Sequence, residues 1–336
     1  MKLSNEQNIG LSTAVFLASD EYDYDPRPNA LSATTILKPP RQVILSRRVD
    51  SSDMVIDISR LVAARSGNAI HDAIEKAWSD QRYIPALRKL GYAESMIQRI
   101  VVNPDPVICL TPEQMADPGR PIPVYLERRS DRELDGFVIR GKFDFVGDGI
   151  LEDHKTTGVF SYMKPANHAK YRLQGSIYRW LNPDIITADY MMINFTFTDW
   201  SKLRAKIERT SGYPQQRMLS MQVPLLSMQE TEQYLKGQIR SIVHNLNKPE
   251  PELPLCTQEE LWQDPTVYKY YKNPALKERS TKNFSTFAEA QARLVKDGST
   301  GVVDICRGMA KACLYCSALP ICTQAQQLIA DGLLEV

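Results

Sequence analysis

The chain has 336 residues, 43% apolar and 24% charged, enough for a sizeable core in one large domain or two modest ones. Its 41 basic and 40 acidic residues leave a formal net charge of +1, so any hold on a phosphate backbone must come from local clusters rather than from the overall field. Arg128, Arg129 and Arg132 form one such cluster, Arg140 and Lys142 a second, and Lys202, Arg204, Lys206 and Arg209 a third; each reads equally as solvated surface.

The opening MKLSNEQNIG has no apolar leader segment, and no stretch approaches the ~20 apolar residues of a membrane span. A cytoplasmic protein with no membrane contact is therefore expected. There is no GxxxxGK[ST] phosphate loop, so an NTP-driven motor in this chain is not expected.

Residues 1–30, rich in Asp, Tyr and Pro, are expected to form an irregular leader. Residues 31–49 (LSATTILKPPRQVILSRRV) form a short entry segment begun by Ser and Thr. Apolar spacing predicts a helix over about 56–78, capped by Asp53 or Asp57, and a second over about 82–99. Alternating or apolar runs in PVYLERRS, GFVIRGKFDFV and ILEDHKTT predict strands, the last two joined by a turn at Gly147-Asp148-Gly149.

A helix over about 165–181 and a strand over about 190–198 follow, leading into DWSKLRAKIE. A strand near 217–224 precedes a helix at about 227–246. KPEPELPL (248–255) reads as a linker, so residues 31–247 are expected to form one core and 248–336 a linker and C-terminal region with a helix near 286–296. This mixed order predicts an α/β (α+β) fold, a small mixed sheet flanked by helices, rather than a doubly wound one.

The chemistry concentrates in GKFDFVGDGILEDHKTT, residues 141–157. Strand alternation puts Leu151, Asp153 and Lys155 on one face and Glu152 and His154 on the other. Across the turn, Asp144 can lie beside Asp153. Two close carboxylates repel unless a cation sits between them, and a hard divalent ion such as Mg²⁺ or Mn²⁺ suits such oxygens. A neighbouring ammonium can orient water and offset charge developing on a phosphate. A surface hairpin laced with salt bridges has the same composition.

Two further patterns bear on that choice. In GNAIHDAIE, Gly67, His71 and Glu75 fall on one helix face; Gly67 would let another backbone approach, and His71 could ligate a metal. In YRLQGSIYRWL, Gln174 and Tyr178 lie one turn apart beside the apolar face of Leu173, Ile177 and Trp180. The first reads also as a packing histidine, the second as ordinary boundary residues.

The cysteines are distributed unevenly: four of six lie in the last 31 residues, as Cys306, Cys313, Cys316 and Cys322 with six, two and five residues between them. Two thiolates in C-x2-C lie within reach of one ion. Four thiolates suit either zinc or an iron–sulfur cluster, and spacing does not choose between them. Disulfides are uncommon in a reducing compartment. Cys109, in the apolar setting VICL, is expected to be buried.

Taken in order, G-x3-H, G-x-x-D, D-x-K-T and Q-x3-Y resemble the RecB-like branch of the PD-(D/E)XK nuclease superfamily, and LSATTILKPPR is similar to the Ser-rich entry segment common there. The resemblance covers roughly residues 31–245 and the cysteine tail. It implies a restriction-endonuclease-like core with a helical N-terminal part and a cysteine-rich tail.

It also implies roles. His71, Asp144, Asp153 and the backbone carbonyl of His154 would be the ligands of Mg²⁺ or Mn²⁺, Lys155 the catalytic lysine, and Gln174 and Tyr178 a supporting helix. Glu127 is similar to an acidic position often found on the preceding strand, where a strand-edge salt bridge explains it equally. Several members carry C-x2-C-x5-C near the C-terminus and bind a [4Fe–4S] cluster whose first cysteine lies far upstream. Here the entry segment has none, so Cys306 is the natural replacement and Cys256 the reserve, with Zn²⁺ the alternative occupant.

The implied activity is a metal-dependent DNA nuclease, most naturally an exonuclease in recombination, repair or phage DNA processing. It would act on single- or double-stranded ends, alone or beside an annealing protein. A non-catalytic nucleic-acid-binding or scaffold subunit on the same fold is the competing expectation.

Overall fold

A six-stranded mixed sheet organises the first half of the protein, and its order follows from short-range sequence signals. The computed structural model describes residues 2–19, 25–50 and 55–336. The strands are β1 (Ile100–Val102), β2 (Ile122–Leu126), β3 (Phe145–Gly147), β4 (Ile150–Thr157), β5 (Tyr190–Phe197) and β6 (Met218–Pro224), lying side by side in that order. β3 runs antiparallel to both its neighbours β2 and β4, while β4 and β5 are parallel, β5 and β6 antiparallel, and β1 and β2 parallel. The α+β class expected from the element order is the one observed.

The tightest connection is the predicted one. Gly147 pairs with Ile150, leaving Asp148 and Gly149 as the two turn residues, at φ +51° and +82°. Positive φ at both central positions is the twist-matched hairpin turn that Asp-Gly supplies. The parallel β4–β5 pair needs a crossover. Helix α2 (Pro165–Leu181) lies within it, opened by Pro165 in its first turn where the missing N–H costs nothing. Its Ile177, Trp180 and Leu181 are buried, as alternation along β5 buries Met191, Ile193, Phe195 and Phe197.

Glycines record two close approaches. A Cβ on Gly175 would lie 2.2 Å from Met191 Sδ, and one on Gly141 would lie 2.9 Å from the Tyr178 ring and 2.8 Å from Leu181 Cδ1. Gly141→Ala should therefore overpack this contact and cost about 1–3 kcal/mol. Urea denaturation checks it, and a midpoint equal to that of the parent protein would show that α2 does not bear on residue 141. Gly67 behaves differently from expectation: nothing lies within 4 Å of an added Cβ, so no backbone approaches there.

The expected helix over 56–78 divides. Val55–Asp57 is a short strand paired with Lys2–Ser4, Ile58–Leu61 a 3-10 turn, and Val62–Ser79 the α-helix, named α1. Asp57 caps the turn by accepting from Ser59 N at 3.0 Å; Asp53 lies outside the described residues. The expected helix over 82–99 breaks into Tyr83–Lys89 and Glu94–Ile97, because Gly91 takes φ +86° between them. The stretch expected to be an irregular leader contains helix Leu11–Ala18 and strand Ala30–Ser32, the latter paired with Phe137–Lys142, which also pairs with Arg129–Leu134.

The chain divides into two units. The first comprises residues 1–37 and 50–240, the second residues 38–49 and 241–336. The second thus takes helix Pro40–Arg48 out of the entry segment. Its remaining secondary structure includes a three-stranded antiparallel sheet, Lys282–Phe284, Val267–Tyr271 and Val302–Cys306, with helix Phe287–Lys296 against it. The Pro-rich stretch contains a 3-10 turn at Glu250–Glu252. Among the described residues no helix is long and apolar enough to cross a membrane.

Candidate metal centre

β4 carries a carboxylate where alternation calls for a core residue. Leu151 and Asp153 are both buried, at register with the buried Met191 and Ile193 of β5. Burial disfavours the charged form of Asp153 and raises its pKa, as does Asp144 nearby; the Lys155 ammonium acts in the opposite sense. Lys155 Nζ donates to Asp153 Oδ1 at 3.0 Å and to Gln174 Oε1 at 3.4 Å. Asp153 Oδ2 is buried and accepts no hydrogen bond, although the same ammonium lies 2.8 Å away as its ion-pair partner. Burial lowers the Lys155 pKa, but Asp153 outweighs it, so the ammonium is held charged.

A bend brings in the other acidic groups. β2 ends at Leu126 and β3 starts at Phe145. Between them and the neighbouring three-stranded sheet, the chain turns at Glu127–Arg128 and at Phe143–Asp144. Two backbone bonds tie the bends together: Glu127 N donates to Asp144 O at 3.0 Å, and Phe143 N to Arg128 O at 3.2 Å. Glu127 adopts φ +46°, a left-handed conformation that costs an L-residue energy and is found most often where function holds it. The outcome is that His71, Glu127 and Asp144 each offer a ligand atom, and these atoms all lie within 4.8 Å of one another. Burial raises the pKa of Glu127, an effect partly offset by its ion pair with Lys142.

His71 stands on α1 between two acceptors. Its Nε2 lies 3.0 Å from the His154 carbonyl and its Nδ1 3.5 Å from Asp144 Oδ1. Both contacts are attractive only when both ring nitrogens carry protons. The Asp144 carboxylate accordingly raises the His71 pKa against the opposing effect of burial, with the His154 carbonyl adding to the rise. Burial works against ionisation of Asp144, but His71 and the His154 N–H, which donates to Asp144 Oδ2 at 3.1 Å, hold its pKa low. A protonated His71 ring would thus sit between Asp144 and the His154 carbonyl, where a cation could also be held.

The Q-x3-Y helix reaches the site through one atom. Gln174 Oε1 accepts from Lys155 while its Nε2 donates to the Tyr178 hydroxyl at 2.9 Å, so Tyr178 fixes the amide that fixes the lysine. The sequence reading missed Tyr171, whose ring centroid lies 5.6 Å from Lys155 Nζ, within cation–π range. Its position three residues before Gln174 puts it on the same helix face, the one signal that could have found it.

Some members of the basic clusters are ion-paired. Arg140 pairs with Asp25 and Asp131, Lys142 with Glu127, and Arg204 with Glu208, while Arg132 stacks 4.1 Å from the Trp180 ring.

In the second unit, all six cysteines of the chain's count except Cys109 are present, and none of the six is in a disulfide. Cys256, Cys313, Cys316 and Cys322 line one cavity with Arg41, Leu45, Leu261 and Leu319. Burial pushes the Cys256 thiol up to about 12 and Cys313 to about 11, so these sulfurs remain protonated unless a cation compensates them. Cys306 is not among the lining residues; it ends the strand Val302–Cys306, paired with Val267. Cys109, expected to be buried, is exposed.

No protein-family model matches the chain, and no curated protein is similar to it. Two solved structures are slightly similar. One, described as SSO0001, is 14% identical, with 74% of this chain and 95% of that chain covered and a TM-score of 0.42. The other, a phage-related exonuclease from Haemophilus somnus 129PT, is 16% identical, with 39% of this chain and 65% of that chain covered and a TM-score of 0.23. At such TM-scores the functional reading rests on the geometry of the site itself.

Proposed function

We propose that the protein is a metal-dependent DNA nuclease, an exonuclease working on single- or double-stranded ends in recombination, repair or phage DNA processing, alone or beside an annealing protein. The observation that carries this reading is the convergence of His71, Glu127 and Asp144 beside the buried Asp153–Lys155 pair. A salt-bridged surface hairpin would leave these groups in water; here Asp153 is 3% exposed and its carboxylate is paired with Lys155.

The donor set fits Mg²⁺ or Mn²⁺: carboxylates of Asp144, Asp153 and Glu127, the His154 carbonyl and the His71 imidazole. Such an ion, when bound, supplies positive charge to the phosphate and lowers the pKa of water. The chain's own groups do the rest. Lys155 offers N–H donors to the reacting phosphate and to water, and Gln174 holds it in place. Asp153 keeps the ammonium charged, so that charge building on the phosphate oxygens meets a fixed donor.

Four cysteines line one cavity, and four thiolates suit either zinc or an iron–sulfur cluster. The resemblance of the cysteine tail favours the cluster. We read this site as the seat of a [4Fe–4S] cluster with a structural role.

The test is degradation of end-labelled DNA. Linear single- and double-stranded DNA should be shortened from its ends with Mn²⁺ or Mg²⁺ and left intact with EDTA, while covalently closed circles should survive. Cutting of the circles would replace the exonuclease with an endonuclease. Binding without cleavage of any substrate, with either ion, would favour the non-catalytic module instead.

A further inference from the structure

Among the described residues Arg41 is the one buried arginine, 1% exposed, and its surroundings point to a charged ligand set. It lies in helix Pro40–Arg48 and lines the cavity of the four cysteines. Its Nη1 donates to the carbonyls of Leu253 at 3.1 Å and Glu250 at 3.4 Å. Its Nη2 meets the Glu250 carboxylate and Thr323 Oγ1. The remaining donor, Nε, is aimed at Cys322 Sγ at 3.3 Å. A neutral thiol is a weak acceptor, whereas a thiolate is a strong one. This N–H contact is therefore weak on a neutral thiol and much stronger on a thiolate.

Cys256 is fixed with equal care. Its N–H donates to Gln324 Oε1 and its carbonyl accepts from Gln324 Nε2, both at 2.8 Å. This reciprocal clasp ties Cys256 to helix Thr323–Ala330, which starts directly after Cys322. Cys306 has strand pairing in place of any such tie.

We infer that Cys256, and not Cys306, completes the thiolate set with Cys313, Cys316 and Cys322, and that Arg41 Nε donates an N–H···S hydrogen bond to the Cys322 thiolate that raises the reduction potential of the bound cluster. The inference rests on the four-thiolate reading given above. Hydrogen bonds to cluster sulfurs draw off electron density and so favour the reduced state.

Two comparisons test it on the full chain purified without oxygen. The first measures iron, acid-labile sulfide, zinc and visible absorption in the wild type, Cys256→Ser and Cys306→Ser. Cys306→Ser should keep the wild-type content, and Cys256→Ser should lose most of it. A wild-type cluster that survives Cys256→Ser, or is lost in Cys306→Ser, overturns the ligand assignment alone. Stoichiometric zinc without sulfide in the wild type overturns the cluster reading beneath it.

The second compares Arg41→Met/Glu250→Gln with Arg41→Gln/Glu250→Gln, both of which remove the buried charges together. The Gln amide nitrogen stands at the same bond count from Cα as Arg Nε and can keep the N–H···S contact; Met cannot. The Met pair should show the more negative midpoint potential in a dye-mediated titration, or should lose the cluster where the Gln pair keeps it. Equal potentials, or equal loss from both, overturn the role of Arg41.

Discussion

Lys155→Met should lower the rate of DNA cleavage by roughly 10³ and should weaken the fold by about 3–5 kcal/mol. The two effects share one cause. Asp153 is 3% exposed, and Lys155 is the cation in contact with it. Removing the ammonium leaves a buried carboxylate whose pKa burial already raises, so it must either stay charged without a partner or take up a proton. Both routes cost stability, and protonation also withdraws a ligand from the metal.

The double variant Asp153→Asn/Lys155→Met separates the effects. It removes both charges, so most of the lost stability should return while cleavage stays absent, giving a coupling energy between the two positions well above that of independent sites. Denaturant unfolding and single-turnover cleavage measure the two halves. A Lys155→Met protein as stable as its parent would refute the structural half, and one that cleaves within tenfold of the parent rate would refute the catalytic half.

The second large effect is a reversal of pH dependence on adding metal. His71 has a pKa raised by Asp144, so its contribution to stability is complete below its unfolded value of about 6.5 and is lost as pH rises through the folded value. Asp144, with a lowered pKa, contributes above its unfolded value and loses that contribution as pH falls through the folded one. Metal-free protein should therefore be most stable on the mildly acidic side, between those limits, and should weaken as pH rises past 6.5.

A divalent ion competes with the His71 proton for Asp144 and the His154 carbonyl. Its apparent affinity should rise about tenfold per pH unit below the folded His71 pKa, equivalent to ~1.4 kcal/mol per unit. Thermal melts from pH 6 to 8.5, with and without Mn²⁺, should then diverge as pH rises. An Mn²⁺ stabilisation independent of pH, or one that His71→Gln leaves unchanged, would contradict this account.

The parts of this architecture that could be read from the sequence are those set by short-range chemistry. Asp148-Gly149 specifies its hairpin turn because few other pairs accept positive φ twice. Alternation marks β5, and a proline-started apolar stripe marks α2. With the hairpin in place, Asp144 and Asp153 fall opposite each other, and the helix after it carries Gln174 and Tyr178.

What could not be read depends on the chain bending back on itself. Glu127 joins His71 and Asp144 only because two adjacent strands bend together at Glu127–Arg128 and Phe143–Asp144, and no local residue pattern announces such a bend. The strands of the C-terminal sheet are three to five residues long, too short for a period to show. Cys256 lies 57 positions before the next cavity cysteine, Cys313, so spacing favoured the nearer Cys306.

Helix Pro40–Arg48 has a consequence for how the protein is made. Its residues leave the ribosome early, yet Arg41 bonds to residues 209, 212, 281 and 282 positions later. Contacts of that span close last, because the intervening chain must first be brought together. Throughout synthesis of the core, a nascent chain thus carries a short helix whose Arg41 has none of these partners. If the proposed iron–sulfur cluster is what its cysteines hold, the C-terminal unit should be the part most sensitive to iron supply during expression, and limited proteolysis of protein made under iron starvation should cut first on either side of residues 38–49.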